Sequence, residues 1–169
     1  MADTPNVDSL INTLGQQLST YLSAQNITNP LMIGIHTGGA WVAEKLHNQL
    51  QLSQPLGTLN ISFYRDDFTS IGLHPQVKPS ELPASVENQD IILVDDVLHT
   101  GRTIRAALNE VFDYGRPQSV TLAVLIERDH RELPICAQVV GQRLTLNPGE
   151  NIKLTQQNNQ LRLVTLKRA

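Results

Sequence analysis

The sequence predicts an α/β domain with a mostly parallel central sheet flanked by helices, and three observations predict it. Strand-like apolar runs alternate with segments of helical period along most of the chain, the pattern of a sheet built through right-handed crossovers. The run Ile91-Ile92-Leu93-Val94 is wholly apolar and mostly β-branched, which suits a central strand covered on both faces, since a half-exposed strand alternates with polar residues. Twice, a run of this kind leads into a glycine-bearing turn and then a helix: His36-Thr37-Gly38-Gly39 and His99-Thr100-Gly101-Arg102.

In chain order, Val7, Leu10, Ile11, Leu14, Leu18, Tyr21 and Leu22 form one stripe and predict a helix over 7–24, broken by Asn26 to Pro30. Leu31 to Ile35 reads as the first core strand, and a helix follows over 40–50 with Trp41, Val42, Leu46 and Leu50 inward. Residues 58–64 alternate Leu59, Ile61 and Phe63 against polar residues, which predicts a strand with one buried face. From Arg65 to Ser80 the chain has Gly72, Pro75 and Pro79 and no periodicity. Such a loop is long for a compact domain unless it acts as a lid, so it is read as a flexible flap carrying Arg65, Asp66, Asp67, His74 and Lys78. A solvated surface excursion is the competing reading. The central strand is expected to stop at Asp95-Asp96, with a helix beyond the turn on Ile104, Ala107, Leu108, Val111 and Phe112. Gly115 and Pro117 end it, residues 119–126 make another buried strand, and 152–155 with 161–164 form a terminal hairpin about Asn158-Asn159, to which no chemistry is assigned.

At 169 residues the chain is expected to form a single domain, 1–169, with one core. No apolar run approaches the roughly 18 residues that cross a membrane, and the start has no secretory pattern, so a cytoplasmic protein is expected. Cys136 is the only cysteine; that excludes an internal disulfide and a cysteine-rich zinc site, and it reads as a small buried residue. Thirteen basic residues against sixteen acidic ones give a net charge of −3, with no sign of a general nucleic-acid binder.

The chemistry concentrates where the central strand ends. Gly101 allows a turn that exposes successive amides, Thr100 and Thr103 add hydroxyls, and a helix start adds partial positive charge, so the turn suits a phosphate. Asp95 and Asp96 repel phosphate but accept hydrogen bonds from hydroxyls. Together these features point to a phosphate with a diol beside it, the layout of a ribose 5-phosphate. The bland alternative is a loop start and a helix cap. The amides of Gly38 and Gly39 make a second, weaker anion site, which together with the first suits a ligand anionic at both ends.

Val94-Asp95-Asp96-Val97-Leu98-His99-Thr100-Gly101-Arg102-Thr103 resembles the phosphoribosyl-pyrophosphate (PRPP) signature of type I phosphoribosyltransferases. Phe63 to Thr69, Gly115-Arg116-Pro117 and His130-Arg131-Glu132-Leu133-Pro134-Ile135 are similar to the PyrR family, whose members are pyrimidine-operon attenuation regulators and uracil phosphoribosyltransferases, over residues 7 to about 155. The resemblance implies a type I phosphoribosyltransferase fold with a C-terminal hood and a homo-oligomer, dimer or higher. It also implies conversion of uracil and PRPP to UMP and pyrophosphate. It makes Thr37-Gly38-Gly39 the pyrophosphate loop, where many relatives carry Thr-Arg-Gly; with that arginine missing, either the amides suffice, another basic residue such as Arg65 or Lys78 supplies the charge, or turnover is weak. Asp95, Asp96 and Arg65 are the implied catalytic residues, and His130 and Arg131 adjoin the pyrimidine. Mg²⁺ is expected to ride mainly on PRPP, with no dedicated protein ligands. Purine and orotate enzymes share the PRPP motif, but the stretch from His130 to Ile135 favours uracil. A UMP- or PRPP-sensing, RNA-binding regulator is the alternative function. The single Lys45 among the first 64 residues and the interleaving of the other basic residues with acids predict weak RNA affinity.

Overall fold

Asn6 opens the first helix by accepting a hydrogen bond from the Ser9 amide at 2.9 Å, a cap typically worth about 1 kcal/mol. In the computed structural model, which describes residues 4–61 and 80–168, α1 runs Val7–Ala24 and buries Val7, Ile11, Leu14, Leu18 and Leu22. Each such leucine contributes roughly 1.5–3 kcal/mol on burial. Asn26, at φ 56°, then turns the chain, and Ile27 N–H reaches back to Leu22 C=O at 2.9 Å, so the last carbonyls are satisfied as a helix end requires.

Strands β1 (Leu31–Ile35), β2 (Gly57–Leu59), β3 (Asp90–Leu98), β4 (Ser119–Arg128) and β5 (Val139–Leu144) form one parallel sheet in the order β2-β1-β3-β4-β5. Helix α2 spans Gly38–Leu50 and α3 spans Arg102–Tyr114. Successive residues of β3 face opposite sides: Ile92 and Val94 pack with α1 and α2, whereas Ile91 and Leu93 pack with α3. That two-sided burial is the reason the run has no polar alternation. The hairpin of β6 (Glu150–Gln157) and β7 (Gln160–Lys167) turns through Asn158 and Asn159, both at positive φ, and lays Ile152, Leu154, Leu161 and Leu163 on the same side as α1.

Several expectations are corrected. The central strand does not stop at the acid pair; its ladder with β4 continues to Leu98, opposite Glu127, because β4 is itself long enough to carry it. Helix α2 begins at Gly38 rather than at residue 40. Strand β2 ends at Leu59, where the Asn60 amide turns to Ser80 Oγ at 2.8 Å. Phe112 is 56% exposed and Cys136 is exposed, so neither belongs to the core. Strand β5 was not anticipated: Gly141 interrupts its apolar run, yet a Cβ there would lie 2.5 Å from Leu125 C=O, so the neighbouring strand admits only glycine. Residues 65–79 of the segment expected as a flap, with Arg65, Asp66, Asp67, His74 and Lys78, lie outside the described residues, as do residues 62–64 of the expected strand.

Candidate functional site

In the order β2-β1-β3-β4-β5 the chain leaves β1 toward one edge and returns to β3 on the other side. The crevice beyond the carboxyl ends of β1 and β3 is where open α/β sheets take ligands. A cavity of about 710 Å³ opens there, with the β1–α2 turn, the end of β3 and the start of α3 as its walls.

The β3–α3 turn is built for an anion. Gly101 sits at φ 95°, a conformation glycine adopts without penalty, and its C=O accepts from the Arg105 amide at 2.9 Å to start α3. The Arg102 amide donates to Thr100 Oγ1 at 3.2 Å. The remaining first-turn amides have no partner within the helix by construction and carry the positive end of its dipole. The turn is braced from behind, since the amides of Glu132 and Leu133 both donate to Thr100 C=O at 3.0 Å. Arg102 Nε pairs with Glu132 at 2.8 Å, a half-exposed contact. His99 lines the cavity, and burial, then the neighbouring Arg128 charge, hold its pKa below the usual 6.5 against an opposing pull from Glu132.

Asp95 and Asp96 form the floor. Asp95 is buried at 3% exposure and its Oδ1 accepts from the Asp96 amide at 2.9 Å; Asp96 Oδ1 in turn accepts from the Val97 amide at 2.8 Å. The opposing wall comes extremely close. A Cβ on Gly38 would lie 2.2 Å from Asp96 Oδ2, and one on Gly39 would lie 2.6 Å from Val94 C=O. The two glycines let the N-terminus of α2 seat directly on the acid pair. The His36–Thr37 peptide before them is cis. Two carboxylates at the mouth of an anion site are a hard-oxygen donor set. They suit Mg²⁺, which typically takes one or two carboxylates along with phosphate oxygens and water.

The structure brings Thr37, Gly38, Asp95 through Thr103 and the start of α3 onto one cavity, while Val94 and Gly39 stand immediately behind it. It adds residues the sequence did not point to: Trp41 from α2, and Asn151, Ile152, Lys153 and Leu154 from β6. The hairpin, to which no chemistry had been assigned, is thus a wall of the cavity. Its alternation of Ile152 and Leu154 inward with Lys153 outward signalled a half-buried strand, but nothing in it specified what the strand covers. His130 and Arg131 do not line the cavity. His130 is exposed, with Nε2 3.4 Å from Asp129, and Arg131 is turned toward Glu127 and the carbonyls of Ile135 and His99.

Residues 1–154 match the phosphoribosyl transferase domain family, and the fold is that of the class. Among solved structures, the chain resembles a hypoxanthine-guanine phosphoribosyltransferase from Bacillus anthracis, with a TM-score of 0.68, 16% identity and coverage of 89% of this chain and 86% of that one. It also resembles a hypoxanthine phosphoribosyltransferase from Staphylococcus aureus, with a TM-score of 0.64, 21% identity and coverage of 85% and 78%; at these identities the likeness concerns the fold alone. Sequence relatives are much nearer. A Bifunctional protein PyrR from Nitrosococcus oceani is 63% identical over 152 residues, covering 89% of this chain and 86% of the relative. One from Pseudomonas aeruginosa is 56% identical over 150 residues, covering 89% and 88%. The chain belongs to the PyrR family of phosphoribosyltransferase-fold proteins.

Proposed function

We propose that this chain transfers the phosphoribosyl group of PRPP to uracil, giving UMP and pyrophosphate. The observation that carries the proposal is the placement of an acid pair, Asp95 buried and Asp96 half-buried, between two anion-binding helix starts within one cavity. The turn from Thr100 to Thr103 takes the 5-phosphate through amides and hydroxyls. Asp95 and Asp96 accept from the ribose hydroxyls, and the amides at Gly38 and Gly39 take the pyrophosphate end. Val97, Ile152 and Leu154 offer the planar base an apolar wall.

During transfer the bond from C1 to the pyrophosphate oxygen breaks, the bond from C1 to a uracil ring nitrogen forms, and that nitrogen's proton leaves. Positive charge develops on the ribose ring between these events. Preorganised carboxylates stabilise it, an effect of about 3 kcal/mol for one well-placed group. When bound through Asp95 or Asp96 together with ligand oxygens, Mg²⁺ supplies charge to the departing pyrophosphate. No covalent intermediate on the protein is required. The experiment is UMP formation by purified protein with Mg²⁺ and PRPP, run against uracil, hypoxanthine and orotate. Uracil is expected to be used at least tenfold better than either competitor, and product only with hypoxanthine or orotate would overturn the assignment.

The word "bifunctional" in the relatives' name favours a second reading, a UMP-responsive RNA-binding regulator that uses the same cavity as its sensor. Against strong binding stands the charge distribution, since counterion release needs basic residues gathered on one surface. Mobility shifts on a pyrimidine-operon leader at two salt concentrations, with and without UMP, decide between a working regulator and weak, UMP-independent binding. The described residues contain no helix long and apolar enough to cross a membrane, and a cytoplasmic enzyme of nucleotide salvage is the corresponding setting.

A further inference from the structure

We propose that Arg131 and Arg128 at the carboxyl end of β4 are positioning residues, one for each side of the cavity, so that a single strand end sets the distance between phosphate turn and hairpin. The inference deepens the phosphoribosyltransferase reading and rests on it for the identity of the two ligands.

Arg131 is three-quarters buried and engages three separate groups. Its Nη2 donates to Glu127 Oε1 at 2.7 Å, its Nε to Ile135 C=O at 3.0 Å, and its Nη1 to His99 C=O. Glu127, at 15% side-chain exposure, is itself steadied by Arg143 Nε at 2.8 Å. His99 is the residue immediately before the phosphate turn, so the guanidinium ties that turn to β4. Packing agrees: Ile135, held through its carbonyl by Arg131, lies 3.0 Å from the point where a Gly101 Cβ would sit. The planar fork of arginine can serve three acceptors in different directions, whereas a lysine ammonium cannot from that position.

Arg128 performs the matching task on the other side. Its Nη1 donates to Asn151 Oδ1 at 2.8 Å and its Nη2 to Glu150 C=O at 3.4 Å. Asn151 Oδ1 also accepts from the Ile152 amide at 3.0 Å, and both residues line the cavity. The two arginines are separated by three positions in sequence and act on opposite walls.

The test is a kinetic and structural dissociation using Arg131→Lys and Arg128→Gln in the full chain. Arg131→Lys is expected to raise KM for PRPP about tenfold and KM for uracil less than twofold; Arg128→Gln is expected to do the reverse. Amide hydrogen exchange gives a readout independent of turnover, with faster exchange confined to residues 99–103 in the first variant and to 151–154 in the second. Equal effects on both substrates with exchange raised at both walls, or no change at either wall, would overturn the proposal. If the wild-type protein makes no UMP, the functional reading fails while the exchange experiment still decides the positioning. If Arg131→Lys fails to fold, Glu127→Gln, which loosens the same guanidinium, takes its place with the same expected pattern.

Discussion

His36-Thr37-Gly38 and His99-Thr100-Gly101 are the same tripeptide at the same place in two strand–turn–helix units, yet the glycines are there for different reasons. Gly101 is required by its own backbone, at φ 95°. Gly38 and Gly39 have no such requirement; what they provide is space, because α2 sits against β3 so closely that a Cβ would strike Asp96 or the backbone of Val94. The second turn is a conformational device that aims amides at a ligand. The first is a packing device that brings a helix end onto the acid pair. Equal motifs can therefore answer to unequal physics, and substitution separates them.

The largest effect is expected at the group both turns converge on. Asp95→Asn combined with Asp96→Asn keeps the shape and the capacity to accept hydrogen bonds but removes the charge, so kcat/KM for PRPP should fall by about two orders of magnitude or more. Activity within threefold of wild type would show that the carboxylates do not face the reacting sugar.

The glycines sharpen the contrast through stability. Gly39→Ala drives a methyl toward Val94 C=O at 2.6 Å and Asp95 Cα at 2.9 Å, neither of which can swing aside, and overpacking of this kind costs about 1–3 kcal/mol. Gly101→Ala forces an L-residue into left-handed backbone at a cost of about 1–2 kcal/mol, with the Ile135 side chain 3.0 Å away adding to it. Gly38→Ala meets the Asp96 side chain, Oδ2 at 2.2 Å, Cγ at 2.6 Å and Cβ at 3.1 Å, whose carboxylate can swing aside at the cost of its hydrogen bond from the Val97 amide. Its stability loss should stay under about 1 kcal/mol, while displacement of that carboxylate lowers kcat/KM roughly tenfold. Chemical denaturation and kinetics on the three variants check the ranking; a Gly38 variant as unstable as Gly39 and fully active would erase the distinction.

How much of this was legible in the sequence follows from the range of the interactions. The β3–α3 unit could be read because its signals are local: an apolar run, an acid pair, a glycine and a helical stripe are contiguous from Ile91 to Val111. The hairpin could be read as a hairpin, since Asn158-Asn159 suits a two-residue turn. Its role as a wall was not readable, because that depends on where β6 packs, some 50 residues from the acid pair in sequence. The start of α2 was misplaced because glycines usually signal loops, and only the approach of β3 makes them necessary inside a first helical turn. His130 and Arg131 stand beside the site in sequence pattern, whereas the guanidinium of Arg131 points to Glu127, 4 residues back along its own strand end, and to a carbonyl 32 residues away.

The smallest expected effect also separates the two turns, through the histidine that opens the second. Burial and then the Arg128 charge lower the pKa of His99 beneath 6.5, and Glu132 only partly opposes them. In the unfolded chain the imidazole takes a proton near its ordinary value, so between that value and the lower folded one the unfolded state binds more protons. Stability must then decline as pH falls through this window and level off once both states are protonated. His99→Gln removes that contribution. The Tm difference between variant and wild type should therefore shift in the variant's favour as pH drops below about 6.5 and stay constant above it. A ligand phosphate in the turn favours the charged ring and should move its titration upward. Following the His99 ring proton by NMR with and without ribose 5-phosphate checks both claims, and a free-protein midpoint at or above 6.5, unmoved by the ligand, would detach this histidine from the anion site.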